Sequence, residues 1–149
     1  MLTPFNPHGE AWPGLSQAVE VSGADILVTS GITATDDAGE VIAGDFEAQV
    51  EAVYRNMGKV LAAAGTDFGS IARITTYLVN FEPSMIPTIR RVRGCYLSEK
   101  CPPASIMIGV AALYDPRLRI EVEIIAEMSK PWTLRTGGLE GRLPGRPIE

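Results

Sequence analysis

The chain has 149 residues, of which 46% are hydrophobic and 21% charged, so it is long and apolar enough to bury one core. Its 13 Lys and Arg residues against 18 Asp and Glu residues give a formal charge of −5, which argues against a nucleic-acid partner. One histidine, His8, and two cysteines supply neither a multi-histidine metal site nor a disulfide framework, so we expect no metal and no cofactor.

The chain begins with a segment rich in proline and glycine, MLTPFNPHGEAWPG, which predicts an N-terminal loop over residues 1–14. This segment lacks the basic start and apolar stretch of a signal peptide. No apolar run in the chain approaches the ~20 residues that a membrane helix needs. We therefore expect a cytoplasmic protein with no membrane partner.

Two short β-prone segments follow the loop. Residues 15–21 (LSQAVEV) and 25–31 (DILVTSG) are separated by a Ser-Gly-Ala sequence, which predicts a β-hairpin. Residues 32–44 are interpreted mainly as a connection, with one small extra strand as an alternative.

A helical period begins at Asp45. Apolar residues recur at steps of three and four between Phe46 and Ala64, which places them on one helical face. Asp45 can cap the first amides, and Gly65 suits the left-handed residue that closes a helix. The pattern predicts a helix over residues 45–64.

A strand and a second helix come next. Residues 71–80 (IARITTYLVN) alternate and are enriched in β-branched and aromatic side chains, as is typical of a strand. Ser84 precedes a helix in which Pro87 is tolerable only in the first turn. Arg90, Arg91 and Arg93 crowd its middle. We interpret them as a solvated face, with a role in ligand binding as the alternative.

Two further strands complete the domain, which we place at residues 15–128. Residues 104–113 (ASIMIGVAAL) are almost wholly apolar, which predicts a strand buried on both sides. Residues 118–128 (LRIEVEIIAEM) alternate, with one apolar face and one face that carries Arg119 and three glutamates. Residues 129–149 are rich in Gly, Pro and Arg and predict an extended tail.

The resulting order β-β-α-β-α-β-β predicts an α+β fold with two helices packed on one face of a single mixed sheet. The other face carries apolar residues as well, several of them in the 104–113 strand. Because those residues also need cover, self-association is the most economical expectation.

Several short segments together resemble one family in order and spacing. They are LSQA at 15–18, VTSG at 28–31, Gln49 and Asn56, LAAAGT at 61–66, ITTYL at 74–78, PA at 103–104, VAAL at 110–113 and IEVEIIA at 120–126. This series resembles the "YSQA…SGQ", "Q…N…LEAAG…KTTVFL" and "PARS…VAxLP…VEIEAIA" motifs of the Rid family (YjgF/YER057c/UK114, also called endoribonuclease L-PSP).

The resemblance implies a chorismate-mutase-like fold assembled as a homotrimer, with the sheets forming a central β-barrel and three clefts between subunits. It also implies a small carboxylate or carbonyl ligand. Members of the RidA branch hydrolyse reactive enamines and imines to a carbonyl product and ammonia, with an arginine on the substrate carboxylate and a glutamate that handles water.

The resemblance also assigns candidate site residues. Glu121 matches the first glutamate of "VEIEAIA" and is the catalytic candidate, while Ser30 and Gly31 match the "SG" turn. The arginine of "PARS" falls on Ser105, so the carboxylate anchor of the family is absent there. The remaining substrate-binding candidates are Ser105 itself, Met107, and two arginines that could replace the anchor, Arg90 and Arg119. An alternative for Arg119 is a charge pair with Glu121 within the strand.

Four functions stay open from the sequence. The first is a trimer that binds a small carboxylate or carbonyl compound between subunits and hydrolyses enamines or imines. The second is a small-molecule-binding or chaperone-like trimer that has lost this chemistry. A ribonuclease is disfavoured by the net charge, and a related deamination in one catabolic pathway would use the same cleft.

Overall fold

The computed structural model describes residues 1–6, 16 and 18–128 of the chain. Its strands are β1 (Leu2–Phe5), β2 (Ala18–Val21), β3 (Asp25–Val28), β4 (Ile32–Thr33), β5 (Ile71–Val79), β6 (Ala104–Val110) and β7 (Ile120–Met128). The helices are α1 (Phe46–Ala63) and α2 (Met85–Gly94), and a 3-10 turn at Phe68–Ser70 precedes β5. Neither α1 nor α2 combines the length and apolar character needed to cross a membrane.

The main sheet has the strand order β3-β7-β5-β6, and β4 also pairs with β7. The β5 and β6 strands are parallel and α2 connects them, whereas β7 is antiparallel to each of its partners. This is the connection that parallel neighbours require, because a tight turn cannot join them. The predicted α+β class, with two helices on a mixed sheet, is confirmed.

The core lies between the helices and one face of this sheet. Along β7, apolar side chains alternate with glutamates, and Ile120, Val122 and Ile124 are at most 1% exposed. Helix α1 covers them with a buried stripe that includes Val53, Met57 and Leu61. The opposite face is called the open face below; it comprises Ile26, Val28, Thr33, Arg73, Thr75, Tyr77, Ala104, Ile106, Ile108, Glu121, Glu123, Ile125 and Glu127.

Helix α1 begins and ends as its sequence predicts. The side chain of Asp45 accepts a hydrogen bond from the backbone N–H of Ala48 at 2.9 Å, which satisfies one of the unpaired amides of the first turn. At the other end, Gly65 has φ +73°, the left-handed conformation that glycine adopts without a steric penalty. Local chemistry therefore fixes both ends of the helix.

Replacing Asp45 with alanine should lower the free energy of unfolding by about 1 kcal/mol, because the Ala48 amide loses its acceptor. Asparagine at the same position keeps a side-chain oxygen at the helix start. Denaturant unfolding should therefore rank wild type and Asp45→Asn together, above Asp45→Ala. Equal stability of all three proteins would contradict the capping role.

The N-terminal part of the fold corrects two sequence predictions. Leu2–Phe5 forms β1 and pairs antiparallel with β2, whereas residues 1–14 were predicted to be loop. The predicted hairpin between residues 15–21 and 25–31 is also wrong. Strand β2 pairs with β1, while β3 pairs with β7, at the far end of the described chain. Residue 15, and the tail predicted from residue 129, lie outside the described residues.

Strand β6 corrects a third prediction. It lies at the edge of the sheet, and only one of its faces is covered by helices. Ile106 and Ile108 point to the open face and are 43% and 37% exposed in the single chain. One copy of the chain therefore buries only one face of β6, and the prediction that both faces are buried is wrong for the single chain.

Candidate active site

Glu121 lies on the open face near the start of β7. The strand register places it opposite Thr33 of β4 on one side and opposite Tyr77 of β5 on the other. Its side chain is partly buried. The carboxylate therefore sits within the sheet surface, where neighbouring strands fix its position.

The turn after β3 passes directly over this carboxylate. Thr29 extends the pairing of β3, because its N–H donates to Ile124 O at 3.1 Å and its hydroxyl accepts from Ile124 N–H at 3.0 Å. A Cβ on Gly31 would lie 1.6 Å from Glu121 Oε1. Since φ of Gly31 is not positive, space rather than backbone conformation demands glycine here. The exposed Ser30 lies beside it in the turn.

Two of the three glutamates that β7 carries on the open face have partners. Glu123 accepts a hydrogen bond from Tyr77 Oη at 3.1 Å, and this bond raises the pKa of Tyr77 above its usual value. Glu127 pairs with the amino group of Met1. Within the described part of the chain, the Glu121 side chain makes neither a hydrogen bond nor an ion pair, so its oxygens are available to water or a ligand.

A second group of candidates, Ser105 and Met107, faces the helices. The register pairs Ser105 with the fully buried Ile74, and Met107 packs against the core. The guanidinium of Arg93, on α2, donates a hydrogen bond to Ser105 Oγ at 3.1 Å. Arg93 is only 5% exposed. A buried arginine therefore touches the position where the family motif carries its own arginine.

The three arginines of α2 have different environments. Arg90 is exposed, and Arg91 pairs with Glu47 of α1 at 2.5 Å. Arg93 is buried, so its interpretation as part of a solvated face is wrong. Its position was readable from helical periodicity, because Arg93 follows the buried Ile89 by four residues and lies on the same stripe.

Arg119 is held at the end of the sheet near α1. Its guanidinium carbon lies 5.2 Å from the centre of the Phe46 ring, a cation–π contact, and its backbone N–H donates to Gln49 Oε1 at 2.8 Å. Among the described residues it forms no ion pair with Glu121. The predicted charge pair within the strand is therefore not formed.

One copy of the chain does not bring the two groups of candidates together. Ser105 of β6 is in register with Ile74 of β5, which in turn is in register with Ile124 of β7. Ser105 is thus two strands away from β7, and its level in the sheet is three residues beyond Glu121. The two side chains also point to opposite faces of the sheet. A site that uses both the Glu121 carboxylate and the Arg93 guanidinium therefore needs two copies.

A model of the family described as Endoribonuclease L-PSP matches residues 9–128 of the chain. The chain belongs to the endoribonuclease L-PSP family, also called the Rid family. Protein DfrA of Myxococcus xanthus is 36% identical over 113 residues, which are 74% of this chain and 82% of DfrA. The 2-iminobutanoate/2-iminopropanoate deaminase of Rattus norvegicus is 32% identical over 124 residues, which are 83% of this chain and 85% of the deaminase.

Solved Rid-family structures share the fold. YyfB of Yersinia pestis, a member of unknown function, superposes with a TM-score of 0.79 at 33% identity, covering 85% of this chain and 98% of YyfB. RidA of a Psychrobacter species gives a TM-score of 0.63 at 29% identity, covering 80% and 92% of the two chains. The recognition made from the sequence motifs is therefore confirmed.

Proposed function

We propose that this Rid-family protein is a homotrimer that hydrolyses a small 2-imino acid to the 2-oxo acid and ammonia. The observation that carries the proposal is the Glu121 carboxylate, which has no partner among the described residues and lies against the backbone of Gly31. Similarity to the rat deaminase supports the substrate class. The site would lie between subunits, with Ser30, Gly31 and Glu121 from one copy and α2 and β6 from the next.

The open face supports the assembly. Four aliphatic side chains on it stay exposed in one chain: Ile26 at 57%, Val28 at 68%, Ile106 at 43% and Ile108 at 37%. They belong to β3 and β6, the strands at the two ends of the sheet, so each end of the open face carries an exposed apolar patch. Exposed apolar patches of this kind are typical of protein–protein interfaces. A closed trimer covers it with copies of the same sheet and leaves no open edge.

The proposed chemistry needs few groups. Water adds to the C=N carbon, and the two electrons of the C=N π bond become a lone pair on nitrogen. Glu121 would accept a proton from that water and return it to the nitrogen, which gives a carbinolamine. It would then move the hydroxyl proton of the carbinolamine to the same nitrogen, so that the O–H electron pair forms the C=O bond while the C–N bond breaks and its electron pair leaves with ammonia. Water supplies the carbonyl oxygen and the two hydrogens that leave with nitrogen, so the reaction balances without a redox step. The imine carbon is already electrophilic, so an activated protein nucleophile is unnecessary.

The test is the hydrolysis of freshly generated 2-iminopropanoate, followed by ammonia release above the spontaneous rate. Replacing Glu121 with glutamine should lower kcat by about 10² to 10⁴, the usual contribution of a positioned acid–base group. Glu123→Gln is the matched control, because Glu123 lies two residues away on the same face but already accepts a hydrogen bond from Tyr77 Oη. Its rate should stay near that of wild type.

Three results would overturn the proposal. One is a Glu121→Gln variant as fast as wild type, and another is a Glu123→Gln variant that loses as much. The third is wild-type protein that binds a 2-oxo acid, seen as a raised melting temperature, and shows no turnover. That last outcome would instead identify a binding protein.

A further inference from the structure

Arg93 carries a buried positive charge that the described residues do not neutralise. It is 5% exposed, and its single hydrogen bond within the described part of the chain goes to the neutral hydroxyl of Ser105. Among those same residues it makes no ion pair. Burying a guanidinium without a counter-ion is costly, and most of its five N–H donors remain without an acceptor here. Such a group is typical of a site that binds an anion.

A second buried polar group lies in the field of this charge. Tyr54 of α1 is 1% exposed, and its hydroxyl has no hydrogen-bond partner in the described structure. Burial raises the pKa of Tyr54 to about 12, while the nearby Arg93 charge opposes that rise. An unpaired buried hydroxyl is rare in native proteins. Two buried groups that the described residues leave without full hydrogen bonding, the Arg93 guanidinium on α2 and the Tyr54 hydroxyl on α1, therefore lie near each other.

The surroundings favour an anion over a cation. Burial lowers the pKa of Arg93 and the charge of Arg90 lowers it further, although arginine stays protonated at neutral pH. Arg90 lies one helical turn away, is exposed, and also lacks an ion pair among the described residues. The third arginine of α2 is already paired with Glu47. The two arginines of α2 that no described residue pairs, Arg90 and Arg93, therefore lie close enough for their charges to interact, and Arg93 is the one that contacts β6.

We propose that Arg93, with Ser105 beside it and Tyr54 behind it, binds the carboxylate of the small 2-imino or 2-oxo acid. The inference rests on the function proposed above and identifies the residue that anchors the ligand. A guanidinium can hold a carboxylate through two parallel N–H donors, which fixes both position and orientation. Arg93 reaches the site from a helix, whereas the family motif supplies its arginine from the strand at the position that Ser105 occupies here. The sequence pointed to Arg90 or Arg119; we assign the anchor to Arg93.

Binding of two stable probes tests the anchor. Pyruvate carries the carboxylate, and methyl pyruvate is its uncharged ester. Calorimetry on the intact protein should show that wild type binds pyruvate about 100-fold more tightly than the ester, the scale of a charge-assisted pair of hydrogen bonds. Arg93→Met should bind both probes equally weakly. Arg91→Met is the matched control on the same helix, and it should retain the preference because Arg91 is occupied by Glu47.

Melting of the ligand-free protein separates a binding role from a structural one. If Arg93 serves a ligand, Arg93→Met should melt at the same temperature as wild type or higher, because an unneutralised buried charge is removed. Arg93→Lys covers the case in which Arg93→Met does not fold. It keeps the charge but loses the paired donors, so it should bind pyruvate about tenfold more weakly than wild type. A much lower melting temperature for Arg93→Lys, with pyruvate binding unchanged, would make Arg93 structural and overturn the proposal.

The remaining outcomes separate this inference from the proposed function. Imine hydrolysis with the same KM in wild type and Arg93→Met would leave the hydrolase standing and overturn the anchor. Pyruvate binding that depends on Arg93, in a protein that hydrolyses no imine, would leave the anion site standing and overturn the hydrolase. Loss of the carboxylate preference in Arg90→Met, with Arg93→Met unaffected, would also overturn the anchor.

Discussion

Replacing Ile108 with aspartate should convert the protein to monomers and abolish imine hydrolysis. Ile108 lies on the open face at the edge strand β6, where the proposed trimer buries it. A carboxylate there would lose its hydration in each of the three subunits, at a cost of several kcal/mol per buried charge. Because a neighbouring copy completes each site in the proposed trimer, the loss of assembly should remove the activity as well.

Light scattering after size exclusion measures this effect directly. Wild type should have about three times the chain mass of 16.0 kDa, and Ile108→Asp should have the mass of one chain. Val60→Asp is the matched control, because Val60 has the same 37% exposure but lies on α1, away from the open face. It should remain trimeric and active. A trimeric Ile108→Asp protein, or an active monomer, would contradict the proposal of a site between subunits.

Replacing Gly31 with alanine should reduce turnover about as far as Glu121→Gln does, with little change in stability. The added methyl group would overlap Glu121 Oε1, so the carboxylate must move away from its position in the sheet. The atoms that give way, from Cγ to Oε1, all belong to the flexible side chain of Glu121 and none to the backbone, so the cost in folding free energy is small. The cost in catalysis is large, because displacing a catalytic group by about 1 Å lowers the rate by about 10²-fold.

Gly94→Ala provides the comparison. A Cβ on Gly94 would meet no atom within 4 Å, and its φ is not positive, so alanine should be neutral or slightly stabilising there. We expect normal kcat for Gly94→Ala and a kcat near background for Gly31→Ala, at similar melting temperatures. Normal turnover by Gly31→Ala would show that the position of Glu121 is not critical.

The parts of the fold that local chemistry determines were predictable. The period of α1, the cap at Asp45 and the left-handed Gly65 lie within one stretch of chain, and the structure has all three. The alternation of β7 was equally clear, because one of its faces is buried by α1 throughout. Such signals need no knowledge of distant partners.

Strand pairing was less predictable because it depends on residues far apart in the sequence. The turn at Gly23 is real, with φ +67°, yet it connects two different sheets. Nothing in the local sequence indicates that Asp25 is in register with Met128. Similarly, β6 reads as a strand buried on both faces, whereas one copy of the chain covers only the face toward the helices.

The candidate site was predictable only where the family motif is retained. Glu121, Ser30 and Gly31 were found from the resemblance, and the structure brings Gly31 against Glu121. Arg93 was passed over because charged residues on a helix are normally solvated, and its partner Ser105 is reached only through the crossover to β6. A charge on a buried helical stripe is the signal that would have identified it.

The strand order has a consequence for folding of the chain during its synthesis on the ribosome. β7 is the last strand of the described chain to be synthesised, yet it occupies the middle of the main sheet, between β3 and β5. Until Met128 has left the exit tunnel, both of those strands lack their common neighbour and α1 has no complete surface to cover. Nascent chains are therefore expected to stay non-native and to expose apolar surface until β7 has been synthesised, which makes chaperone binding during translation advantageous.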